Sequence, residues 1–89
     1  MSIPEGAKAR LRLTLYGRSY CHLCDEMLAA LGALRREFGF GVDVVDVDSD
    51  ADLEKRFGDL VPLLMHAHTE LCHYRLDAGK VRAYLVKIR

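Results

Sequence analysis

The stretch that decides the fold runs from Arg10 to Cys24: Arg-Leu-Arg-Leu-Thr-Leu-Tyr-Gly-Arg-Ser-Tyr-Cys-His-Leu-Cys. Over residues 10–15 leucines alternate strictly with Arg10, Arg12 and Thr14, which puts Leu11, Leu13 and Leu15 on one face of a β-strand. Beyond Gly17 the period changes. Cys24, Met27, Leu28, Leu31, Leu34 and Phe38 recur at helical spacing, until Gly39 and Gly41 supply C-terminal breakers. A strand therefore feeds into a helix, and a Cys-x-x-Cys pair sits where the helix opens. Such a pair in a reducing compartment serves redox catalysis or metal binding.

Downstream, Val42–Val47 is rich in β-branched residues and reads as a second strand, with its alternation interrupted at Val44-Val45 as if by a local adjustment. Ser49-Asp50-Ala51-Asp52 looks like a helix cap, the Ser49 hydroxyl accepting the amide three residues on, before a short helix with Leu53 and Phe57 on one face and Gly58 at its end. Leu63–His66 and Leu71–Tyr74 read as strands joined by a turn near His68-Thr69 that lacks the usual glycine. Asp77 is a good N-cap for a last helix whose apolar stripe is Val81, Tyr84, Leu85 and Ile88. The order β-α-β-α-β-β-α makes the first two strands parallel by a right-handed crossover and the last two antiparallel. The expected fold is α/β, a four-stranded mixed sheet flanked by three helices, with Leu28, Leu31, Phe38, Phe57 and Leu85 in its core.

Upstream, residues 1–9 hold Pro4 and Gly6 without an apolar period and read as a flexible N-terminal arm ahead of a single domain at 10–89. Eighty-nine residues are room for one domain of modest core. Thirteen basic residues balance thirteen acidic ones, so no net field draws nucleic acid or an anionic membrane. No apolar run approaches the ~20 residues of a membrane span, and the first residues lack the apolar stretch of a secretory signal. A cytoplasmic location is the expectation. Three cysteines are too few, and oddly numbered, for a disulfide-stapled secreted scaffold.

The segment Leu15-Tyr16-Gly17-Arg18-Ser19-Tyr20-Cys21-His22-Leu23-Cys24 resembles the strand-to-helix active-site turn of a glutaredoxin. The resemblance extends from about Leu11 to the C-terminus, through Val47-Asp48-Ser49-Asp50, Val61-Pro62, Glu70-Leu71-Cys72 and Arg75-Leu76-Asp77, to small bacterial glutaredoxin-like proteins. It implies a thioredoxin-like fold with Cys21 as nucleophile, Cys24 as resolving thiol and Pro62 as a cis-proline facing them. It further implies that the Val61 backbone, with Tyr20 and Pro62, forms the substrate-binding set, an extended substrate pairing strand-fashion beside Cys21. Two departures stand out. Glutathione-binding glutaredoxins carry a Gly-Gly-x-Asp-like segment where this chain has Tyr74-Arg75-Leu76-Asp77, and the dipeptide between the cysteines is His-Leu, without proline.

The chemistry follows from position. A cysteine at a helix N-terminus feels unpaired amides and the positive end of the dipole, which favour the thiolate, whereas one a turn further in is more buried. That matters because an ordinary thiol, with a pKa near 8.5, is only about 3% ionised at neutral pH. His22 and Arg18 are candidate modulators of Cys21, opposed by Asp25 and Glu26. Cys72 reads as a small buried hydrophobe, and Arg75 as a solvated or capping residue that could instead meet a peptide carboxylate. The leading function is a thiol-disulfide oxidoreductase acting on protein or low-molecular-weight disulfides as a monomer, with no cofactor and with glutathione as a candidate reductant. The alternatives are a metal-binding module, in which Cys21, Cys24 and a histidine hold zinc or a soft ion, and a redox-silent adaptor. Copper carriers also place Cys-x-x-Cys at a strand-to-helix turn, but their order is β-α-β-β-α-β, without a helix between the second and third strands. His66, His68 and His73 fall on or near the last hairpin, where a surface metal site would need them to converge.

Overall fold

The computed structural model describes residues 11–88. The arm expected at residues 1–9 and the first residue of the expected strand, Arg10, lie outside that range. The elements are β1 (Arg12–Gly17), α1 (His22–Phe38), β2 (Gly41–Asp46), a 3-10 turn (Val47–Ser49), α2 (Ala51–Phe57), a second 3-10 turn (Gly58–Leu60), β3 (Leu63–His66), β4 (Thr69–His73) and α3 (Ala78–Ile88). The sheet order is β2-β1-β3-β4. β1 pairs with β2 parallel and with β3 antiparallel, and β3 pairs with β4 antiparallel. This is the mixed four-stranded α/β architecture read from the sequence.

Burial along β1 alternates from Arg12 to Gly17, Leu13 and Leu15 being fully buried. These leucines share one core cluster with Met27, Leu31 and Leu34 of α1, Leu64 and Leu71 of the hairpin, and Val81 and Leu85 of α3. On the opposite face Tyr16 meets the Phe57 ring of α2, with centroids 4.5 Å apart. Helices therefore cover both faces, α1 and α3 on one and α2 on the other. Arg82 of α3 is paired with Glu37 of α1 across the helix layer. Among the described residues no helix is long and apolar enough to cross a membrane.

Several local expectations are corrected. The register between β1 and β2 runs without a break from Arg12 opposite Gly41 to Gly17 opposite Asp46, so Val44-Val45 marks no irregularity. The alternation fails there because β2 is an edge strand, where Val44 lies in the open. Val47, expected to end that strand, is instead buried in the 3-10 turn. Ser49 does not cap α2. Its hydroxyl donates to the Asp46 carbonyl, and Asp50 is the cap, accepting the Asp52 amide at 2.8 Å.

The hairpin turn falls on Ala67 and His68, with Ala67 at φ 53°, so β4 begins at Thr69 and ends before Tyr74. The irregularity sits deeper in the ladder. Leu64 faces Cys72 while Met65 faces Glu70, leaving Leu71 as an extra residue in β4. Such a bulge lets two consecutive side chains, Leu71 and Cys72, both turn inward. Of the expected core, Leu31 and Leu85 are buried and Phe38 and Phe57 half-buried, but Leu28 is exposed, as is Ile88 of the expected stripe on the last helix. Each lies at the margin of its helix's apolar stripe. Asp77 does cap α3, its Oδ1 accepting the Lys80 amide at 3.0 Å.

Candidate functional site

The site is built at the C-terminal end of β1, where the chain leaves the sheet through residues 18–21. Tyr20 takes a left-handed φ of 59° and is fully exposed. Cys21 then returns to extended backbone, φ −107° and ψ 104°, as the N-cap of α1. Its Sγ accepts the amide of Cys24 at 3.0 Å, and its carbonyl accepts the amide of Asp25 at 3.1 Å. A sulfur thus does the work usually given to a Ser or Asp oxygen at this position. Cys21 and Cys24 are joined as a disulfide with their α-carbons 5.2 Å apart, inside the usual span for a bridged pair. Cys21 is half-buried and Cys24 buried, so the first sulfur is the more accessible of the two.

Gly17 completes the seat of Cys24. A β-carbon at Gly17 would lie 3.1 Å from the Cys24 sulfur and 3.4 Å from its β-carbon. A side chain there would force the Cys24 sulfur to give by a few tenths of an ångström, and a glycine at the end of a strand is the sequence signal that marks such a close approach. Beside Cys24 a cavity of about 220 Å³ opens between α1 and β2, with Leu28, Val44 and Val45 on its walls.

Arg18, read from the sequence as a modulator of Cys21, spends its guanidinium on partners further along the chain. Its guanidinium donates to Asp48 Oδ1 at 3.3 Å, to Glu54 Oε2 at 3.1 Å and to the Gly58 carbonyl at 3.0 Å. It ties the loop before Cys21 to α2 and the turn after it. His22, the first residue of α1, is exposed. Asp25, in the first turn, brings a carboxylate to the helix end, which stabilises the helix and opposes a thiolate.

The Val61-Pro62 peptide bond is cis, Pro62 is buried and Val61 half-buried. The last pair of the β1–β3 ladder is Tyr16 opposite Leu63. One step further along that register places Pro62 across from Gly17, the residue that touches Cys24. Two carbonyls of this segment are held from the end of β4: Tyr74 donates its hydroxyl to the Asp59 carbonyl at 2.7 Å and its amide to the Pro62 carbonyl at 2.8 Å. Nothing in the sequence marked Tyr74 for this role, because its φ of 67° is a conformation normally left to glycine.

On the other side of α1 a second groove of about 250 Å³ runs between Leu23, Glu26 and Met27 and the segment Tyr74–Leu76. Arg75 faces Glu26 across it at 3.9 Å, both side chains largely in solvent, a pairing worth little. Cys72 is buried, and burial pushes its thiol pKa up. The histidines go to different partners: His66 Nδ1 is hydrogen-bonded to the Tyr84 hydroxyl at 2.6 Å, His73 Nδ1 to Glu70 at 2.6 Å, and His68 is exposed in the turn. Among the described residues no three His, Cys, Asp or Glu side chains are grouped as a metal site requires.

Comparison with known proteins agrees with this fold. The solution structure of protein Ne2328 from Nitrosomonas europaea is 39% identical and superposes with a TM-score of 0.75, over 83% of this chain and 89% of that one. The X-ray structure of protein XcR50 from X. campestris is 38% identical with a TM-score of 0.70, over 86% of this chain and 99% of its own. Thioredoxin from Fasciola hepatica, at 16% identity and a TM-score of 0.58 over 91% of this chain and 83% of that one, shares the fold. The glutaredoxin-like domain family (DUF836) matches residues 12–86, nearly the whole described chain, and the protein belongs to that family.

Proposed function

We propose that the protein is a dithiol-disulfide oxidoreductase in which Cys21 is the nucleophile and Cys24 the resolving thiol. The observation that carries this reading is the Cys24 amide aimed at the Cys21 sulfur from the first turn of α1, with the more exposed thiol at the helix N-terminus and the buried one a turn behind. In the reduced protein that amide and the helix dipole favour the Cys21 thiolate.

The thiolate attacks one sulfur of a substrate disulfide, forming a Cys21–substrate mixed disulfide and expelling the other half as a thiolate, which takes up a proton. Cys24, deprotonated, then attacks the Cys21 sulfur, closing the Cys21–Cys24 disulfide and releasing the second half as a thiol. Two electrons pass from the protein to the substrate, so no cofactor is needed. A thiol donor of the glutathione class restores the dithiol. Tyr20, Val61 and Pro62 receive the substrate, a disulfide-bearing protein or small molecule. The protein acts as a cytoplasmic monomer.

Titration of the purified protein in glutathione redox buffers, read by mass and thiol labelling, tests this. The expected result is a reversible two-electron transition lost in Cys21→Ser, and a trapped mixed disulfide in Cys24→Ser. If no Cys21–Cys24 disulfide forms at any accessible potential, the reading fails; stoichiometric zinc on protein purified under reducing conditions would favour the metal-binding alternative.

A further inference from the structure

Three carbonyls between α2 and β3 accept hydrogen bonds from outside their own segment: Gly58 from Arg18, Asp59 from the Tyr74 hydroxyl, and Pro62 from the Tyr74 amide. Tyr74 supplies two of the three, yet holds a left-handed φ of 67°. Non-glycine residues persist in that conformation only where their surroundings over-determine it. Here they do: the Arg75 amide closes a tight turn onto the His73 carbonyl at 2.8 Å, and the His73 ring packs edge-on against the Tyr74 ring, with centroids 4.5 Å apart. Tyr74 also stands in the segment where the sequence lacks the paired glycines of glutathione-binding glutaredoxins. A side chain has taken a place that glycine would occupy without strain, and that side chain reaches back to the segment that carries the cis Val61-Pro62 bond.

We propose that Tyr74 is a positioning residue that, by holding the Asp59 and Pro62 carbonyls, keeps the Val61 backbone set for an extended disulfide substrate and so makes the protein selective for peptide disulfides over small ones. The proposal rests on the oxidoreductase reading. The bond made by the side chain fixes a backbone edge, and a backbone edge is what an extended peptide recognises. A small symmetrical disulfide has no strand to pair and needs only the Cys21 sulfur. Gly58 secures the other end of the segment. A β-carbon there would come within 2.0 Å of Glu54 Oε2 and 3.0 Å of Arg18 Nη2, so both side-chain ends would have to turn aside.

The test is single-turnover oxidation of pre-reduced protein by a disulfide-linked peptide dimer and, separately, by 2-hydroxyethyl disulfide, comparing wild type with Tyr74→Phe and Tyr74→Gly. For the peptide, both variants are expected to raise the half-saturating concentration about fivefold, with the limiting rate within about twofold, as befits loss of one neutral hydrogen bond. For the small disulfide both parameters stay within about twofold. Gly58→Ala, which displaces the Glu54 and Arg18 side-chain ends beside the same segment, gives the same split and serves if a Tyr74 variant fails to fold. Equal shifts for the two substrates, or none for either, overturn the positioning role while leaving the oxidoreductase reading intact. Wild-type protein that neither disulfide oxidises overturns that reading and the proposal with it.

Discussion

Gly17 and Cys24 stand so close that any side chain at residue 17 would begin 3.1 Å from the Cys24 sulfur, so the inner cysteine of the pair is seated directly on the end of the first strand. In Gly17→Ala the cysteine must give way or the strand must shift, a small overpacking expected to cost about 1–3 kcal/mol. Because the displaced atom is the sulfur itself, the Cys21–Cys24 disulfide should also become more easily reduced. Chemical denaturation and a redox titration of the same variant check both. Gly39→Ala is the control. At φ 73° with open space around it, it should cost about 1 kcal/mol through backbone strain and leave the disulfide unaffected.

Leu28 and Leu31 lie on the same helix but differ in environment, exposed against fully buried. Leu31→Ala is expected to destabilise by about 2–5 kcal/mol through transfer and cavity terms. Leu28→Gln should change stability by no more than about 0.5 kcal/mol. Equilibrium urea unfolding of the two variants separates them.

Cys72 is buried between the hairpin and α3, and burial raises its thiol pKa above the ordinary thiol value. Alkylation of the reduced native protein at neutral pH should therefore modify Cys21 first and Cys72 only on unfolding. The linkage has a definite sign. Since the unfolded chain loses the Cys72 proton at a lower pH than the native one, stability falls as pH rises past about 9. A Cys72→Ala variant should show a flatter decline in denaturant midpoint between pH 8 and pH 10, as estimated from that ordinary thiol value.

Arg12 and Asp43 join β1 to the edge strand β2 through two parallel hydrogen bonds of 3.0 and 2.8 Å. The hydrogen bonds from Arg12 hold the Asp43 carboxyl below its ordinary value of 3.8. Its contribution to stability is present above that pH and disappears as pH falls through the lowered value. Asp43→Asn should flatten this acid limb, and Arg12→Lys, which cannot make the two-pronged contact, should flatten it partly. Unfolding midpoints measured from pH 5 down to pH 2 would show no difference between wild type and Asp43→Asn if the pair contributes nothing.

Much of the molecule was legible in the sequence because it depends on near neighbours in the chain. The strand-to-helix switch at Gly17, the Cys-x-x-Cys pair at the helix opening, the Gly39 breaker and the Asp77 cap are local decisions, made by period, capping chemistry and backbone freedom over a few residues. The order of elements, and with it the parallel and antiparallel pairings, follows from connection length. Errors arose where a residue's environment is set by a partner remote in sequence. Val44-Val45 looked irregular because nothing local says that β2 lies at the sheet edge. Leu71 and Cys72 both turn inward because of a bulge in their pairing with β3. Leu28 has helical spacing suited to the core but faces the gap beside Val44. Ser49 is a miss of another kind, decided locally: its hydroxyl donates to the Asp46 carbonyl three residues back, which leaves the cap to Asp50.

The sequence by itself determined that a sulfur would stand at the N-terminus of a helix after a buried strand, since both statements rest on periodicity and on the orphan amides every helix begins with. Only the tertiary structure decided what surrounds that sulfur. Gly17 against Cys24, Arg18 drawn to Asp48, Glu54 and Gly58, and Tyr74 holding Asp59 and Pro62 each join groups that the chain brings together only after the sheet has formed. Their positions depend on register and on side-chain directions across separate elements, which no local pattern encodes.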